Sequence, residues 1–98
     1  MVPTNDSFLV DRVQTGVRIE KRILKVLKAF AEYRDMTLGD LLEGIVLHSF
    51  DGKTPFSHDS LRRIKELKKF YGLDLDAHAS HKLHESRQSG NAERRKQQ

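Results

Sequence analysis

Cysteine is absent from this sequence, which removes disulfides, thiolate metal sites and a cysteine nucleophile together. Its longest apolar runs are far too short to cross a bilayer, so no membrane segment is expected. The opening stretch, MVPTNDSFLVDR, has neither a basic n-region nor a sustained apolar h-region; no signal peptide is read there, and a cytoplasmic location follows as the expectation. A phosphate-binding glycine loop, a paired-carboxylate motif and a Ser/His/Asp arrangement are missing as well. Asp40 and Glu43 read as capping and surface residues, so the chain is not expected to be an enzyme or to hold a cofactor.

Positive charge is short in the first half and plentiful in the second. The 98 residues carry a formal net charge of +4 and a pI near 9.6, yet residues 1–50 hold seven Lys/Arg against seven Asp/Glu, leaving eleven against seven for residues 51–98. A modest excess of this kind fits a polyanionic partner. The length allows one domain plus tails, and its periodic part is small for a monomer.

What is present is a strongly patterned block from Arg12 to Phe50. RVQTGVRI sets Val13, Thr15, Val17 and Ile19 on one side and Arg12, Gln14, Gly16 and Arg18 on the other, the period-two signature of a half-buried strand. A lone strand needs a partner, and no other segment alternates comparably, so the same strand of a second copy is the expected one. From Glu20 to Arg34, Ile23, Val26, Leu27, Phe30 and Ala31 fall at helical spacing, which predicts a first helix with a weak N-cap. Thr37 predicts the cap of a second helix, with Asp40 three residues on and Leu38, Leu41, Leu42, Ile45, Val46 and Phe50 as its apolar positions. Gly44 inside that helix reads either as a close backbone approach near a dimer axis or as a tolerated glycine. A third helix is expected from His58 to Tyr71, capped by Ser57, with a staple of Phe56 onto Leu61 and Gly72 as its stop. Residues 73–85 have room for a further short helical turn.

Strand, helix, capped turn and second helix, carried by VQTGVRI and then IEKRILKVLKAFAEYRDMTLGDLLEGIVLHSF, resemble the ribbon-helix-helix (Arc/MetJ-type) DNA-binding proteins. The resemblance covers about 40 residues. It implies a mainly α fold: an intertwined homodimer with a two-stranded antiparallel ribbon, plus a C-terminal helical extension. Residues 1–11 then form an N-terminal arm, 12–50 the dimerisation and DNA-binding domain, 51–85 the extension and 86–98 a disordered basic tail. By the same resemblance Gln14, Gly16 and Arg18 occupy base-contacting positions, and the backbone N–H groups of Thr37, Leu38 and Gly39 face a phosphate. Val13, Val17, Ile19, Ile23, Leu27, Leu41 and Ile45 form the dimer core. Arg and Gln suit bidentate contacts to guanine and adenine, whereas Gly16 departs from the pattern because it has no side chain with which to read a base.

The implied function is a homodimeric, sequence-specific transcriptional regulator, a repressor by operator occupancy, with double-stranded DNA as partner. Two alternatives stand beside it. One is the antitoxin of a toxin–antitoxin pair, with residues 53–85 engaging a protein partner; the other is a helical dimeric scaffold that never touches DNA. The basic third helix stays open among a solvated face, an auxiliary phosphate contact and a protein-docking surface. His78, His81 and His84 recur every three residues beside Asp74, Asp76 and Glu85, and on a helix adjacent pairs could share a metal ion. They read instead as exposed histidines on a polar, frayed helix, and no metal site is expected.

Overall fold

Glu20 starts the first helix. Its carboxylate accepts the backbone N–H groups of Arg22 (2.8 Å) and Ile23 (2.9 Å), and its second oxygen accepts Arg22 Nε at 3.0 Å. The weak cap expected from the sequence is therefore a real one. In the computed structural model, which describes residues 7–86, α1 spans Lys21–Tyr33, α2 Leu38–Phe50 and α3 His58–Phe70, with a 3₁₀ turn at Ala77–Ala79. Thr37 caps α2 by accepting the Asp40 N–H at 3.0 Å, and Ser57 caps α3 through the Ser60 N–H at 3.2 Å, both as their sequence positions predict.

All three helices stop in the same way. Beyond each C-cap the chain enters a left-handed residue and its next N–H returns to the third-last helical carbonyl, the Schellman arrangement. Gly52 (φ 72°) and Gly72 (φ 68°) supply that residue after α2 and α3, with Lys53 N–H on His48 O at 2.9 Å and Leu73 N–H on Lys68 O at 2.8 Å. After α1 the same position is Asp35 (φ 57°), and Met36 N–H reaches Ala31 O at 3.0 Å. The turn thereby directs Met36 into the core.

That core is thin. Val26, Phe30, Ala31 and Leu41 are buried, and Leu27, Met36, Ile45, Phe56, Ile64 and Leu67 pack partly buried around the Phe30, Ala31 and Leu41 cluster. α1 packs against both α2 and α3, so the extension after Phe50 shares a single core with the helices before it. Phe56 lies edge-on to Phe30 at 5.6 Å between ring centroids, while Leu61, its expected staple partner, remains about half exposed. Ser60 is buried on the same side, and its hydroxyl accepts Arg34 Nη1 at 3.1 Å.

The ribbon does not form. Among the described residues there is no strand, and Arg12–Ile19 runs as an irregular arm with Val13 86% and Val17 73% exposed. The mainly α class holds; the two-stranded antiparallel ribbon and the intertwined dimer built on it are corrected. Alternation specifies which faces a strand would show, but strand structure also needs an edge to hydrogen-bond to. None of the three helices offers one. Residues 1–6 of the expected N-terminal arm and 87–98 of the basic tail lie outside the described residues.

The Glu20 cap carries a pH signature. Burial pushes its carboxyl up, but the Ile23 N–H and the Arg22 guanidinium and N–H outweigh this and hold it below the ordinary glutamate value. A carboxyl lowered by folding contributes stability that is complete above its unfolded pKa and is lost as pH falls through its folded one. Glu20→Ala is thus expected to cost about 1 kcal/mol at neutral pH. The gap from wild type should close in acid, below about pH 4. Urea unfolding across pH checks this, and a gap that persists unchanged into acid would contradict the cap.

Candidate nucleic-acid interface

The arm that carries Gln14, Gly16 and Arg18 is held at both ends by arginines. Arg12 donates from Nε and Nη2 to the two oxygens of Glu43 on α2, at 2.7 and 2.8 Å. The guanidinium hydrogen bond holds the Glu43 carboxyl below its usual value, and Glu43 in turn raises Arg12. Because Glu43 lies one helical turn beyond Gly39, about 6 Å along the axis, this pair brings the beginning of the arm close to the first turn of α2. At the other end Arg18 places its fork on both carboxylate oxygens of Glu85, with Nε to Oε1 at 3.1 Å.

Gln14 and Gly16 between those ties, and Arg18 itself, are all exposed. A Cβ on Gly16 would meet nothing within 4 Å, so neither crowding nor a positive φ requires glycine there. Thr37 and Gly39 are exposed and Leu38 half-buried. Thr37 Oγ1 engages the Asp40 N–H, while the amides of Leu38 and Gly39, in the first turn, have no intrahelical acceptor by geometry. The positive helix end favours an anion there, and the Asp40 carboxylate in the same turn opposes one.

The expected dimer-core residues divide. Leu41 is buried, Ile19, Ile23, Leu27 and Ile45 are half-buried, and Val13 and Val17 face solvent. α2 also shows a second apolar face made by Val46, Leu47 and the 81% exposed Phe50. A Cβ at Gly44 would have open space, so no close approach within the chain explains that glycine. On α3, Arg62 pairs with Asp59 and Arg63 pairs with Glu66 while stacking 4.2 Å from the Tyr33 ring centre. No ion pair engages Lys65, Lys68 or Lys69 among the described residues.

The histidine series loses its helical register: only Ala77–Ala79 form a 3₁₀ turn, and His81 sits at φ 66°. Among the described residues no three metal-ligating side chains converge. No helix there is long and apolar enough to cross a membrane. An open groove of about 270 Å³ lies against Phe30, Leu41, Ile45 and Phe56, with Arg34 and His48 also lining it. None of the expected base- or phosphate-contacting residues lines it.

No local pattern marks the contacts of Arg12 with Glu43, Arg18 with Glu85 or Arg22 with Gly72 and Asp74, because each joins positions far apart in the chain. Glu20 had a local signal, a carboxylate just ahead of the helical pattern. Comparison with protein-family models, curated proteins and solved structures finds no match.

Proposed function

We propose that the protein is a homodimeric, sequence-specific DNA-binding transcriptional regulator of the cytoplasm, acting as a repressor by occupying its operator. Gln14 and Arg18 on the two arms read base edges, and the start of α2 meets a phosphate. The observation that carries this reading is the exposed arm itself. Gln14 and Arg18 have the donor and acceptor sets that suit adenine and guanine edges, and they lie on a segment tied by Arg12 close to an exposed helix N-terminus. Support for the dimer comes from α2, which is apolar on its inner face at Leu41 and Ile45 and on its outer face at Val46, Leu47 and Phe50. A helix apolar on both sides is ordinarily covered on both.

The test is selection of bound sequences from a random duplex pool, followed by Arg18→Ala. Loss of a base contact should cost roughly 1–3 kcal/mol per contact on the selected site and much less on random duplex. Equal losses on the two would show that Arg18 is not a reader. A second reading, a dimeric scaffold that does not touch DNA, is favoured by the engagement of Arg18 with Glu85. Absence of binding to any duplex at low salt would select it.

A further inference from the structure

Two contacts far apart in the chain fasten the segment after α3 onto the arginines around the start of α1. Arg22 Nη1 donates to the Gly72 carbonyl at 3.0 Å and to Asp74 Oδ1 at 3.1 Å. Arg18 gives both arms of its fork to Glu85. Between these anchors Asp76 caps the 3₁₀ turn by accepting the His78 N–H at 2.9 Å. The segment thus crosses from Arg22 to Arg18 with a carboxylate on each.

We infer that residues 72–86 form an acidic strap that competes with DNA for Arg18. This rests on the DNA-binding reading above. Glu85 takes the Nε/Nη2 edge of the Arg18 guanidinium and sets a carboxylate against its charge, so a guanine edge or a phosphate that uses this edge must displace it. The Arg22 contacts keep Glu85 near its target, so the competitor acts at the effective concentration of a tethered group. DNA engages this edge of Arg18 in molecules whose strap is released, and to that extent the apparent dissociation constant rises as the released fraction falls. The pair is solvent-exposed, with the Arg18 side chain 75% accessible, so the strap modulates binding and does not block it.

Glu85→Gln in the full chain tests this on the selected duplex at low salt, measured in wild-type and Arg18→Ala backgrounds. The strap predicts that Glu85→Gln tightens binding by about 1.4- to 5-fold for each arm that contacts DNA, and that this gain vanishes when Arg18 is alanine. An equal gain in both backgrounds would reduce the effect to the loss of one negative charge and overturn the strap. So would an unchanged affinity in the wild-type background. If neither wild type nor Glu85→Gln binds duplex DNA at all, the DNA-binding reading fails and the competition falls with it. Binding without the predicted difference removes the strap alone.

Discussion

Phe30→Ala is expected to remove most of the chain's stability at room temperature. Phe30 is 3% exposed and stands where α1 meets both neighbours, with Ala31 and Leu41 beside it, the Phe56 ring edge-on at 5.6 Å and Tyr33 at 6.1 Å. Truncating a buried phenylalanine removes its transfer free energy and opens a cavity, together roughly 3–5 kcal/mol. A typical domain has only about 5–15 kcal/mol in total, and a chain with four buried apolar side chains among its described residues belongs at the low end. No second cluster of comparable burial is present among the described residues to hold the helices together. Urea unfolding followed by circular dichroism checks the result. A loss below about 1 kcal/mol would mean that the core lies elsewhere.

Leu47→Asp combined with Phe50→Asp is expected to turn the proposed dimer into a folded monomer. Both side chains are largely solvent-exposed within one chain, so helicity should survive the change. In a dimer that covers this face, each buried large apolar side chain contributes about 1.5–3 kcal/mol, and the double substitution removes them from both subunits while adding carboxylates. Weakening of the dimer by two orders of magnitude or more follows as a rough minimum. Sedimentation at matched concentrations, alongside circular dichroism, separates loss of association from loss of fold. Variants that remain dimeric would move the interface away from α2. Val17→Asp belongs with this pair: the alternation on its own implies that folding and dimerisation fail together, whereas a 73% exposed Val17 leaves the folding of the single chain intact.

What could be read in the sequence was what short-range physics decides. The apolar spacing of Val26, Phe30 and Ala31, the caps at Thr37 and Ser57, and the stop at Gly72 each depend on neighbours within one or two turns, and each is found in place. Val13, Val17 and Ile19 state a side-chain alternation, while strand structure requires a hydrogen-bonding edge that no other described part of this chain provides. Contacts such as Arg12 with Glu43 and Arg18 with Glu85 bridge 31 and 67 residues, and no local pattern marks them. The spacing of His78, His81 and His84 matches a helical period, but the segment makes a single 3₁₀ turn at Ala77–Ala79. For the candidate interface, the residue types at Gln14 and Arg18 were legible. The engagement of Arg18 by Glu85 was not.

Sedimentation equilibrium of the full wild-type chain, alone and mixed with duplex DNA at low salt, bears most directly on the claim of a DNA-binding homodimer. The chain alone should sediment as a dimer in the micromolar range, and with duplex present two chains should travel with each bound site and be released as salt rises. A concentration-independent monomer that leaves the duplex behind at low salt would contradict the claim.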